Sequence, residues 1–434
     1  MLERLFHLRR HGTTVGRELR AGLATFLTLS YILFVHPQIL AAAGMPPGDV
    51  LAATALASAL ACLVMGLWAN LPFALAPGMG LNAYFAYSVV QGLGVSWQVA
   101  LAAVFVEGVL FLALSLAGFR SAILAAVPVP VRDGTMAGIG LFLAFIGLQN
   151  AGLVVAHPAT LVDLGPLTSP PALLAFVGIL LAAALLHLRI AGGLLLVIVG
   201  LSFAAWAGGL AAGPERWISW PSLPSETFLA ADLRHVLDLS LIPVILAFLF
   251  VDFFDTAGTL MGVGRLAGIE DEHGNLQHSE RAFAADAIGT SAGALLGTST
   301  VTTYIESAAG IEEGGRTGLV AVTVAGLFLS ALFFAPVFVA VPPLATAPVL
   351  VVVGALMMRG VQDIAWRDLA DAVPAFLTLA VMPFTFSIAH GIAAGLVSWA
   401  VLRLASGRVA EIGWLRGAIV ASVVAYYGLE ALAG

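Results

Sequence analysis

The sequence predicts an all-α polytopic membrane protein, and three observations carry that prediction. Of its 434 residues, 60% are hydrophobic and only 10% are charged, against roughly 25% charged in soluble domains. Mean hydropathy is +1.03. The apolar residues gather into about fourteen runs, most of them close to the roughly 20 residues an α-helix needs to cross a bilayer.

The runs fall at 21–42, 50–70, 75–91, 98–118, 134–155, 171–188, 192–212, 241–263, 282–297, 299–311, 317–340, 345–358, 373–387 and 389–405. A further run, 412–432, reads as a terminal helix lying against the membrane or the bundle. Orientation follows from arginine, because the chain has no lysine and all 18 basic residues are arginines. Five precede the first span: Arg4, Arg9, Arg10, Arg17 and Arg20. Arg120, Arg132, Arg189, Arg265, Arg281, Arg316, Arg359 and Arg367 fall in alternate loops, and Arg403, Arg408 and Arg416 near the C-terminus. Only Arg216 and Arg234 land on the other side. The positive-inside rule then places both termini in the cytoplasm and favours an even number of crossings.

The first apolar run is too long for a signal-peptide core, so it reads as a span. The single cysteine, Cys62, excludes an intrachain disulfide and reads as a small packing residue. A net charge of −7 spread over loops, with no basic patch, gives no reason to expect nucleic acid. Two loops are long. Segment 213–239 is expected outside, with Trp217 and Trp220 at the height of an aromatic belt. Segment 264–281 is expected in the cytoplasm, its charge run a solvated turn.

The outer loop divides the spans seven and seven. In the first half the third span is broken by Pro72, Pro77, Gly78 and Gly80, just before Asn82. In the second half the third span is broken by the polar stretch Gly297–Thr303, just before Glu306. Gly/Pro-interrupted segments at matching positions of two halves point to a transporter's binding site, and seven spans per half require the second copy to be inverted. Broken backbone survives at that depth only against protein or a water-filled cavity. The half-helix after each break aims its free N–H groups at that cavity, where a carboxylate is favoured and a carboxamide can both donate and accept.

Asp252 and Asp255 lie inside the apolar run 241–263, three residues apart and hence on one helix face, which Thr256 and Thr259 extend. Burying such groups costs at least about 2.5 kcal/mol each on insertion scales, so each is a functional-site candidate. Two carboxylates this close in low dielectric cannot both ionise cheaply. That is the chemistry of a carrier that loads a proton with its cargo. Carboxylates and half-helix N–H groups together also suit a flat neutral heterocycle, with Phe253, Phe254, Tyr84 and Phe85 as stacking surface. The candidate site is Asn82, Asp252, Glu306, Asp255, Gly80, Thr303, Tyr84 and Phe85, with Asp252, Glu306 and Asp255 handling protons.

Other polar groups read as structural. Glu107, Asp286 and the Gln149–Asn150 pair are expected to bond between helices, and His36 and His390 to pack near helix ends. Gly78-Met-Gly80 and Gly262-Val-Gly264 lack the strand–turn–helix setting of a dinucleotide site. No HExxH, paired cysteines or GxSxG occurs, so neither an intramembrane enzyme nor a metal cofactor is expected. An anion carrier would place an arginine among the central spans, which hold none. A channel would need a polar stripe rather than polar groups at one depth.

Four long stretches carry a resemblance: 76–87 (APGMGLNAYFAY), 138–152 (GIGLFLAFIGLQNAG), 251–260 (VDFFDTAGTL) and 297–310 (GTSTVTTYIESAAG). With 313–318 and 374–378, the chain from about residue 15 to 405 resembles the azaguanine-type (AzgA-like) purine permeases of the nucleobase–cation symporter group. The resemblance implies fourteen spans in a seven-plus-seven inverted repeat with core and gate domains. The core would comprise 1–118 (spans 1–4) and 240–340 (spans 8–11). The gate would comprise 119–239 (spans 5–7) and 341–410 (spans 12–14), with 411–434 a tail helix. It further implies proton-coupled import of hypoxanthine, guanine or adenine across the plasma membrane by an elevator-like motion. Asn82, Asp252 and Glu306 would contact the base, Gly80 and Asp255 would shape the site, and a homodimer would form through the gate. No cofactor is expected beyond the coupling proton. Uracil, xanthine or another small solute is the alternative cargo on the same fold. His36 and His390 depart from the pattern, which has asparagine and aspartate there.

Overall fold

The computed structural model describes residues 2–117, 127–235, 241–269 and 278–433. Arg120, the expected boundaries at 118–119 and 239–240, and the charged stretch Glu270–Gln277 of the loop expected in the cytoplasm lie outside them. After a short amphipathic α1 (Leu2–Phe6), fourteen crossing segments follow in the predicted order. The first is α2 (Val15–Leu29) and α3 (Ile32–Ala41), opened by Thr14, whose side chain accepts from the Arg17 N–H at 3.3 Å. Next come α4 (Pro47–Val64), then β1 (Leu75–Pro77) with α5 (Met79–Ala83), then α6 (Trp97–Leu116). α7 (Val129–Asn150), α8 (Pro170–His187) and α9 (Gly193–Ala207) complete the first half.

The second half repeats the pattern. α10 (Ile242–Ala267) and α11 (Ser279–Leu296) precede β4 (Val301–Thr303) with α12 (Ser307–Glu312). Then follow α13 (Leu319–Ala331) continued by α14 (Ala335–Ala340), α15 (Pro343–Met357), α16 (Leu369–Thr385) and α17 (Ile388–Ala405). α18 (Gly413–Ala433) packs on α17, where the Arg416 guanidinium lies 5.6 Å from the Trp399 ring centroid. Among the described residues nine helical stretches are long and apolar enough to cross a membrane outright. The others are shorter, are the two broken spans, or, in the case of the 18-residue α11, are less apolar.

Two features were not legible. The first span is interrupted at Ser30–Tyr31, where the helix steps between α2 and α3. An antiparallel hairpin, β2 (Val154–His157) with β3 (Leu161–Leu164), follows α7; its turn is closed by His157 Nδ1 facing the Ala159 and Thr160 N–H groups at 3.3 Å.

The helices pack as two groups. α2, α3, α4, α6, α10, α11, α12 and α13 contact one another, and α7, α8, α9, α15, α16 and α17 do the same, with thinner contacts between the groups. Small residues set the closest approaches, as expected where no hydrophobic force drives helices together in lipid. A Cβ on Gly318 would stand 1.9 Å from the Gly66 carbonyl oxygen, and one on Gly354 2.3 Å from that of Gly140. The loop that follows α9 is tied down as well. Asp49 accepts the N–H groups of Ser225 and Glu226 at 2.7 and 2.6 Å, and Thr227 closes over Gly297.

Candidate functional site

The two breaks meet. β1 and β4 pair antiparallel in the register Leu75↔Thr303, Ala76↔Thr302 and Pro77↔Val301, extended by Tyr304 N–H to the Ala74 carbonyl and Gly78 N–H to the Thr300 carbonyl, both 2.9 Å. A two-stranded ribbon has two free edges, and in hydrocarbon each unpaired backbone group costs several kcal/mol. Antiparallel alternation turns the backbone groups of Leu75, Pro77, Val301 and Thr303 away from the partner strand. The flanking helices meet them. The Thr290 hydroxyl of α11 donates to the Val301 carbonyl at 2.9 Å and accepts its N–H at 3.1 Å. The Cys62 thiol of α4 does the same for Leu75, at 3.4 and 3.2 Å. Proline at 77 has no N–H to satisfy, and its carbonyl accepts the Tyr304 hydroxyl at 2.6 Å. Asp286 accepts both the N–H and the hydroxyl of Thr303, the latter at 3.0 Å. α4 and α11 hold the same position in the two halves, so one device is used twice.

Gly297 opens the second break with φ +101°, and a Cβ there would strike Thr227 at 2.2 Å; the position requires glycine. Glu306 occupies the N-cap position of α12 and accepts the Tyr31 hydroxyl at 2.8 Å. Asn82, in α5, accepts the Ser299 hydroxyl at 2.5 Å and so bridges one break to the other. Asp255 lies against the Thr302 side chain and faces Glu306. Asp255 and Glu306 keep part of their surface open, whereas Asn82 and Asp252 are fully buried. Thr303 stands on the ribbon itself.

Gly80 packs against Ile139 of α7, where a Cβ would stand 2.5 Å from its Cγ2, so it sits at the contact between the two helix groups. Tyr84 is buried with its ring 4.7 Å from that of Phe248, and Phe85 is buried too. Phe253 stacks on Phe283 at 5.4 Å, which turns it toward α11. Asn82, Asp255, Thr303 and Glu306 therefore gather at the ribbon. Asp252 lies one helical turn from Asp255, and its carboxyl meets Glu107 of α6.

Sequence reasoning missed several of these partners. Tyr31 carried a weak signal, as a mid-span tyrosine in a chain with only six. Ser299 and Tyr304 were hidden inside the break. His36, fully buried, meets the Thr298 hydroxyl through Nε2 at 2.8 Å and so touches the second break rather than merely packing.

A multi-pass helical bundle whose two interrupted spans pair at its centre has the build of a membrane carrier. The chain belongs to the Permease family, whose model matches residues 16–394. It is 43% identical to the adenine permease AdeP of Escherichia coli (strain K12), over 95% of this chain and 92% of that one. It is likewise 43% identical to the guanine/hypoxanthine permease PbuG of Bacillus subtilis (strain 168), over 95% and 96%. Among solved structures it resembles the transmembrane domain of the cyanobacterial bicarbonate transporter BicA, with TM-score 0.64 and 17% identity over 88% of this chain and 97% of that one. That likeness shows the fold, a seven-plus-seven inverted repeat.

Proposed function

We propose that this permease is a secondary active transporter importing a purine nucleobase (hypoxanthine, guanine or adenine) together with a proton. The observation that carries the proposal is the pairing of the two breaks, which sets partly open carboxyls, Asp255 and Glu306, beside the ribbon and the Asn82 carboxamide. A purine presents ring N–H groups for carboxylates to accept, and a ring nitrogen or carbonyl for N–H groups to donate to. The relatives named for adenine and for guanine and hypoxanthine support this class of cargo. In this reading Asn82, Asp252 and Glu306 contact the base, while Gly80, Thr303, Asp255, Tyr84 and Phe85 shape its surroundings. Asp252, Asp255 and Glu306 handle the proton, and no cofactor takes part.

The two packed helix groups are the core and gate. The core, carrying the ribbon, slides against the gate in an elevator-like motion. Gate surfaces pair two copies into a homodimer. Both termini lie in the cytoplasm and the chain in the plasma membrane, a reading that the arginine distribution supports. Uptake of labelled hypoxanthine and adenine into cells lacking their own purine permeases tests the proposal. Saturable uptake abolished by an uncoupler is expected; absence of saturable uptake for every purine would reject it.

A further inference from the structure

Glu107 and Asp286 lie outside the group expected to touch the base, yet the fold brings both to Asp252. α6 is held close to α11 because residue 108 is glycine: a Cβ there would stand 2.6 Å from the Ser291 hydroxyl and 2.9 Å from its backbone nitrogen. Glu107 is its immediate neighbour, so its side chain enters the seam between α6, α10 and α11. Phe111 closes the seam one turn on, edge-on to Phe253 and Phe283 at 5.7 and 6.0 Å. Glu107, Asp252 and Asp286 are all 0% exposed.

The Glu107 and Asp252 carboxyls touch each other. None of their four oxygens meets an N–H or O–H donor from the rest of the chain. An ionised carboxyl is an acceptor only, so two of them in contact repel, and a proton between them turns the contact into a hydrogen bond. The remaining charged groups facing the pair are also acidic: Asp286 on α11 acts on both members, and Asp255 on α10 acts on Asp252. Among the described residues no group of three or more His, Cys, Asp or Glu side chains is placed to hold a metal ion. The chemistry that fits is a bare proton.

We propose that the Glu107–Asp252 pair is the proton-loading site of the carrier, which narrows the proton role assigned above to Asp252, Asp255 and Glu306 to this buried pair and leaves Asp255 and Glu306 to face the base. Asp286 ties it to the ribbon. The Asp286 carboxyl grips Thr303 on β4, and the Thr256 hydroxyl of α10, one residue from Asp255, lies against it as well. Losing the pair's proton adds a negative charge beside Asp286 and so strains its grip on the strand that shapes the site. Loading a proton and closing the ribbon around cargo are thereby linked. This inference rests on the proposed proton symport.

The test uses the full-length protein reconstituted in liposomes, as wild type and as Glu107→Gln. One coupled proton lets a gradient of one pH unit sustain about tenfold accumulation of labelled base. Wild type is expected to reach that ratio. Glu107→Gln is expected to fall to about onefold while still exchanging labelled for unlabelled base at equal pH, because an amide can pair with Asp252 but cannot release a proton. Infrared difference spectroscopy gives a second readout on purified protein. Wild type should show a protonated-carboxyl band at neutral pH that Glu107→Gln lacks. Accumulation by Glu107→Gln equal to wild type would remove the pair from proton coupling and leave the symport reading in place. Wild type that accumulates nothing on a pH gradient would remove that reading, and this proposal with it. If Glu107→Gln does not assemble, the wild-type band still decides: its absence overturns the proposal.

Discussion

Replacing Thr290 by valine isolates the forces that keep a two-stranded ribbon intact inside the membrane. The side chains have nearly the same shape, so packing changes little, but one hydroxyl is lost. That hydroxyl serves both the N–H and the C=O of Val301, and the site is fully buried. Each orphaned buried group costs about 1–3 kcal/mol, so the pair costs about 2–6 kcal/mol. Thr290→Ser keeps the hydroxyl and loses only a methyl, a cost of about 1 kcal/mol. Cys62→Ala removes the equivalent partner of Leu75 on the other edge, and sulfur is a weak donor and acceptor, so a smaller loss is expected. Heating purified protein in detergent and following the monodisperse fraction ranks the three. The expected order of stability is wild type, then Thr290→Ser and Cys62→Ala, then Thr290→Val well below. Thr290→Val matching Thr290→Ser would refute the accounting of the ribbon's edges.

Tyr31→Phe removes the hydroxyl that donates to Glu306. Hydrogen bonds to charged groups contribute about 1.5–3 kcal/mol, so affinity for the base should fall about tenfold or more while folded yield holds. Saturation of labelled-base uptake measures it. Gly318→Ala forces a methyl into the Gly66 carbonyl just beyond α4, so α13 must move away and monodisperse yield should collapse; near-normal yield would contradict the close approach. Ser299→Ala cuts the hydrogen bond to Asn82 that joins the two breaks. It should weaken uptake far more than Ser330→Ala, whose hydroxyl bonds only within its own helix, and parallel uptake curves compare them.

Much of this was readable from residue order because membranes restrict the options. Spanning backbone must be helical or shielded, so Pro72, Pro77 and the stretch Gly297–Thr303 could only mark protected breaks. Their pairing into one ribbon was not readable. Strand register depends on which outward groups find partners, and Cys62 and Thr290 are ordinary residues until the fold presents them. Glu107 shows the other limit. A lone acid in an apolar helix reads as a structural bond between helices, and only the glycine at 108, acting on a helix nearly 180 residues away in sequence, delivers it to Asp252. Tyr84 and Phe253 illustrate how aromatic residues next to site residues can be engaged elsewhere, here with Phe248 and Phe283.

The most direct test of the account is equilibrium binding of labelled hypoxanthine and adenine to the purified protein, with Glu306→Gln beside a control at exposed Glu226. Wild type and Glu226→Gln should bind a purine saturably and lose it to unlabelled purines in competition, and Glu306→Gln should bind at least about tenfold more weakly through loss of a charged acceptor. Equal binding by Glu306→Gln and wild type would show that the paired breaks do not hold the base.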